Sequence, residues 1–135
     1  MTKVVSRVAL ILLACFMLTA CSPKTLEGLM NQSDNKKMLD QQVEDLLNSA
    51  SGKQFKDIKW EAKNNDLTYS YYFAQDFTDE QVEQIKANME NQADTLKTTI
   101  NSVKDQLEKA TGIRPDSITY AYFDNAGNEI VKITQ

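Results

Sequence analysis

Two runs of strict alternation, separated by two asparagines, constrain this chain more than any other feature. Ile58, Trp60 and Ala62 alternate with Lys59, Glu61 and Lys63, and Leu67, Tyr69, Tyr71 and Phe73 alternate with Thr68, Ser70 and Tyr72. Asn64-Asn65 between them suits a two-residue primed turn, because asparagine tolerates positive φ. That turn predicts Ala62 opposite Leu67, Trp60 opposite Tyr69 and Ile58 opposite Tyr71, all on one face. A slip of one residue would move each strand's apolar set to the other face, so burial selects this register. A chain with such a hairpin must also supply an apolar surface to cover it.

That cover is written downstream. Thr78 and Gln81 have the spacing of a capping box, and Phe77 is placed to pack on Val82 as a hydrophobic staple. Asp79 and Glu80 suit the positive end of a helix dipole. An apolar seam then runs through Val82, Ile85, Met89, Ala93, Leu96, Ile100, Val103, Leu107 and Ala110. Gly112 and Pro115 predict its end, with Ile113 folding back on Leu107. One helix over residues 79–111 would be about 50 Å long at 1.5 Å per residue, whereas a domain of this size has a radius of gyration of only ~13 Å. The helix must therefore bend, break or protrude. The two successive spacings of four in Ile85–Met89–Ala93 disturb a strict heptad there.

The flanking segments complete the pattern. Ser33 or Asp34 is expected to cap a first helix whose apolar face is Leu39, Val43, Leu46, Leu47 and Ala50. Gly52 is placed to end it in a left-handed cap. A second hairpin closes the chain, with strands 118–123 and 129–134 around the turn 124–128, where Gly127 suits a left-handed residue and a bulge. Tyr120, Tyr122 and Ile130 lie on one face of this hairpin, and Ala121, Phe123, Val131 and Ile133 on the other. Alternation thus leaves open which face is buried. The expected fold is α+β in the order α-β-β-α-β-β: two hairpins forming an antiparallel four-stranded sheet, with the long helix across one face.

The N-terminus has a different character. Lys3 and Arg7 precede an apolar run from Val8 to Met17, too short for a comfortable membrane span. It ends in Leu18-Thr19-Ala20-Cys21. This segment resembles the lipobox of bacterial lipoprotein signals. The resemblance implies a signal peptide over residues 1–20 and a diacylglycerol on Cys21. It further implies a lipidated tether over residues 21–33 and a single domain over residues 34–135, held at the extracytoplasmic face of the cell membrane.

Charge and cysteine arithmetic then exclude several functions. The leader holds Lys3 and Arg7 and no acid, which takes the 15 basic residues to 13 against 19 acidic, a formal charge of −6. An acidic surface without a basic stripe argues against nucleic acid as a partner, and against docking to anionic lipid by charge alone. Cys15 leaves with the leader and Cys21 is taken by the lipid. No thiol then remains for a disulfide, a metal or a nucleophile, and the chain contains no histidine.

A second resemblance covers most of the mature chain. The short Thr25-Leu26-Glu27 segment, the aromatic strand Leu67–Phe73, a long polar helix and the terminal run Tyr120–Ile130 are similar to an uncharacterised family of small lipoproteins from Gram-positive bacteria, classed as a domain of unknown function. The resemblance implies an extracytoplasmic location and carries no catalytic residues.

The site residues weigh toward binding. The turn Asp124–Glu129 loosely has the oxygen ligands of a calcium loop, but it lacks the alternating acids and distal glutamate of an EF-hand, and a hairpin turn accounts for it. Acid pairs such as Asp79/Glu80 and Asp40/Glu44 read as dipole or solvated-face residues. No metal, cofactor or catalytic residue is expected, and the chain is read as a non-enzymatic module for a protein, peptide or envelope polymer. Trp60, Tyr69, Tyr71 and Phe73 are expected in the core. Tyr72, Tyr120 and Tyr122 are then surplus aromatics and form the expected binding surface, on the sheet face opposite the long helix unless the first helix covers them. The expected state is a monomer. A homodimer through the long helix is the structural alternative, and a small envelope enzyme is a third reading.

Overall fold

A side-chain cap starts the first helix among the described residues. The Thr25 hydroxyl accepts a hydrogen bond from the Gly28 N–H at 3.1 Å and starts a short helix, α1 (Leu26–Met30). The computed structural model describes residues 24–135. The signal peptide expected over residues 1–20 and the lipidation site expected at Cys21 lie outside these residues. The stretch read as the end of the tether is not all tether, because Leu26 and Met30 are fully enclosed in the core. The second helix, α2 (Ser33–Asn48), follows directly. It ends on Ser49 in an extended conformation, without the left-handed glycine expected at position 52. Gly52 answers to a different constraint. A Cβ there would stand 1.7 Å from the Leu46 carbonyl oxygen, so the loop passes too close to the end of α2 for any side chain.

Strands β1 (Phe55–Lys63) and β2 (Asp66–Phe73) form the expected hairpin. Ala62 pairs with Leu67, Trp60 with Tyr69 and Ile58 with Tyr71, as the alternation predicts. Asn64 takes the positive φ, 53°. The turn also holds α1. The Glu27 N–H donates to the Asn64 carbonyl at 2.8 Å, the Leu26 N–H donates to Asn65 Oδ1 at 3.0 Å, and the Asn64 N–H donates to Glu27 Oε2 at 2.8 Å.

The long helix is two. The reciprocal Thr78–Gln81 capping box starts α3 (Asp79–Asn91), and α4 (Ala93–Thr111) continues it after a break at Gln92. The break falls where the spacings of four disturb the seam. On either side of it burial differs: α4 buries Leu96, Ile100, Val103 and Leu107, whereas α3 buries only Met89, with Val82 and Ile85 partly buried against the core. Gly112 takes the left-handed cap, φ 76°. At this end the seam shifts by one position: Ala110 is exposed and Thr111 is buried, its hydroxyl donating to the Leu107 carbonyl at 2.6 Å. Lys104 is also buried, with its ammonium donating to the Asp116 carbonyl at 3.0 Å.

Strands β3 (Ser117–Phe123) and β4 (Glu129–Thr134) form the second hairpin, with Gly127 at φ 90° and a register shift at Tyr122/Phe123 that sets Val131 and Ile133, instead of the expected Ile130, on the face of Tyr122 and Tyr120. The sheet order is β1-β2-β3-β4. One expectation fails here. The sheet is mixed, because β2 and β3 run parallel. Parallel neighbours need a crossover of a dozen or more residues, and α3 with α4 is that crossover. It brings the chain back to the end of the sheet from which β2 started. No helix among the described residues is long and apolar enough to cross a membrane.

Candidate functional site

The parallel pairing decides where the tyrosines go. Tyr69 lies beside Tyr120 and Tyr71 beside Tyr122. The second hairpin therefore inherits the buried face of the first. Tyr71 and Tyr122 stack with centroids 5.0 Å apart, and Tyr69 and Tyr120 at 5.8 Å. Tyr120 is 2 % exposed and Tyr122 0 %. The surface expected from Tyr72, Tyr120 and Tyr122 is thus not assembled: Tyr120 and Tyr122 are core, while Tyr72 lies on the opposite, open face. There its half-buried ring stacks on Phe123 at 4.8 Å, and the Lys59 ammonium stands 5.2 Å over it.

Burial raises the phenol pKa values of Tyr69, Tyr71 and Tyr122 well above the ordinary range and that of Tyr120 to about 12. Repulsion between neighbouring phenolates adds to the effect for the first three. In the unfolded chain these groups would ionise near the unperturbed value of about 10. Above that pH the unfolded state holds fewer protons than the folded one, so stability falls as pH rises. The stabilisation is complete below about pH 10 and is lost as the pH climbs toward the folded-state values. We expect alkaline unfolding from about pH 10 upward, with most phenolate absorbance appearing together with loss of the circular dichroism of the fold. Titration of four of the five tyrosines in a still-folded protein would contradict the burial.

A concave surface lies elsewhere, between α2 and β1. The groove has a volume of about 520 Å³. Val43 and Leu47 from α2 and Ile58, Trp60 and Ala62 from β1 provide its apolar lining. Asp40 and Glu44 stand on the helix wall, with Lys36 one turn before Asp40. Trp60 is half-buried, and its indole N–H donates to Asp40 Oδ1 at 3.1 Å. Alternation puts Trp60 on the face of Tyr69 and so predicts a core residue; because β1 is an edge strand, the side chain sits at the rim of the apolar face and is only partly buried.

Several acids have structural partners. Asp57 accepts from the Ile58 N–H at 2.9 Å. Asp105 and Glu108 pair with Arg114 at 2.6 and 3.0 Å. Asp124 accepts from the Asn128 N–H, and this and further turn hydrogen bonds hold its carboxyl below the usual carboxylate range. The turn expected at residues 124–128 therefore closes on its own polar groups.

A family described as Domain of unknown function (DUF4854) matches residues 26–135. The match begins at the first residue of α1, in keeping with the burial of Leu26. No curated protein and no solved structure matches the chain.

Proposed function

We propose that this chain, which belongs to the DUF4854 family, is a lipid-anchored, non-enzymatic binding module at the extracytoplasmic face of a bacterial cell membrane. The lipobox Leu18–Cys21 supports the address. A diacylglycerol carries two acyl chains, and at about 0.8 kcal/mol per buried methylene two chains are a stable anchor. Four residues separate Cys21 from Leu26, and at most ~3.6 Å per residue they keep α1 and the Asn64-Asn65 turn close to the lipid surface. We expect fatty-acid labelling of the wild type and its loss in Cys21→Ala. Unlabelled wild type, or a labelled mutant, would sink the anchor.

The observation that carries the binding role is the groove beside Trp60. It is concave and apolar-lined with a few polar groups on one wall, the usual character of a recognition site. Trp60 is the chain's single tryptophan, so its emission reports on this groove alone. Titration of the purified protein with peptides and with soluble envelope polysaccharide should shift that emission for one class of ligand. If neither class shifts it, the groove is not the site. Self-association through the long helix is the second reading, and it is favoured by the half-exposed Val82 and Ile85 on α3. A monomer by sedimentation at high concentration would remove it.

A further inference from the structure

We propose that the groove between α2 and β1 takes an extended peptide, which adds to the sheet as a fifth strand on the free edge of β1. The inference rests on the binding-module reading and names the ligand class of that site.

The hydrogen-bonding parity of β1 carries the argument. Lys63 and Asp66 close a two-residue turn, so they form a hydrogen-bonded pair. Counting back by twos, Glu61 and Lys59 also bond to β2. The N–H and C=O groups of Ala62, Trp60 and Ile58 therefore point out of the sheet. Ile58 agrees with this parity, because its N–H is taken by the Asp57 side chain and not by β2.

Natural edge strands are usually blunted against pairing. The first half of β1 is: a register shift lies between Phe55 and Asp57, and Asp57 occupies the Ile58 donor. The second half carries no bulge, and no side chain is bonded to its outward donors, those of Trp60 and Ala62. Its charged residues Lys59 and Glu61 alternate onto the other face, where Lys59 lies over Tyr72, so the part that opens into the groove keeps an accessible backbone edge. Five consecutive residues, 58–62, line it. Lys59 must do so through its backbone, since its side chain lies over Tyr72 on the other face of the sheet. The groove thus has a strand edge as one wall and the α2 helix as the other. This arrangement suits an extended backbone, with alternate side chains reaching Trp60 and the apolar floor.

Charge narrows the ligand. The helix wall presents Asp40 and Glu44 against Lys36. A peptide with a basic side chain facing Glu44 complements it.

The test uses the purified full-length protein in mild detergent and a displayed library of random ten-residue peptides. Selected peptides are synthesised with a fluorescent label, and each backbone amide is methylated in turn. Strand addition predicts a period of two: methyl groups on amides that bond the edge weaken binding roughly tenfold, and those between them do not. Hydrogen exchange at the Trp60 and Ala62 backbone groups should slow on binding. Ala62→Pro should weaken binding while leaving the sheet paired, because this N–H does not bond to β2. Should that variant fail to fold, the methyl scan still decides. Glu44→Lys should weaken basic peptides selectively.

Peptides that bind without the two-residue period, or that leave Trp60 and Ala62 exchanging freely, would overturn strand addition while leaving the binding role intact. Selection of no peptide, with a Trp60 emission shift on soluble envelope polysaccharide, would do the same. Failure of every ligand at Trp60 would overturn both readings.

Discussion

Tyr122→Ser is expected to unfold the domain or nearly so, whereas Tyr72→Ser should leave it folded. Tyr122 is fully buried, stacks on Tyr71 at 5.0 Å and pairs across the sheet with Val131. Removing a ring of this size from a packed interior costs about 3–5 kcal/mol, because neighbours only partly close the cavity. A domain of this length has roughly 5–15 kcal/mol in total. Tyr72 is half-buried on the open face, where its main contact is the stack on Phe123. Such a stack contributes about 0.5–1.5 kcal/mol. Thermal melts of the two variants should therefore differ by roughly 10 °C or more. Equal melting points would mean that the parallel register placing Tyr122 beside Tyr71 is incorrect.

A second contrast tests the helix that crosses the sheet. Leu96 is 4 % exposed on α4, and the adjacent Lys97 is half-exposed. Leu96→Asp places a carboxylate among Ile100 and its apolar neighbours without a partner, and an unpaired buried charge costs about 3–5 kcal/mol. Lys97→Asp changes a side chain that already meets water and should stay within about 0.5 kcal/mol of wild type. Urea denaturation of the pair reads the difference directly. If Lys97→Asp is the more damaging, α4 is rotated about its axis from the seam that the sequence predicts.

The seam illustrates how far sequence periodicity reaches. Leu96, Ile100, Val103 and Leu107 are buried as their spacing requires, but Ala110 is not and Thr111 is. The small Ala110 has little to gain from burial. Thr111 has a use inside, since its hydroxyl bonds the Leu107 carbonyl and accepts from the Ile113 N–H, closing the helix end before Pro115.

The features the sequence determined by itself are those with short-range causes. The capping box at Thr78–Gln81, the stops at Gly112 and Gly127, and the register through Asn64-Asn65 each depend on residues a few positions apart. Only the tertiary structure decided how the two hairpins meet. Both faces of β3 carry apolar side chains, so alternation could not choose between them. The choice came from the path of α3 and α4, which returns the chain to run parallel beside β2 and sets Tyr120 and Tyr122 next to Tyr69 and Tyr71. The same long-range packing drew Leu26 and Met30 out of the expected tether into the core. It also made Gly52 necessary by proximity to Leu46 and left Trp60 on an open strand edge. Each of these depends on contacts between segments far apart in the chain, and local pattern carries no information about them.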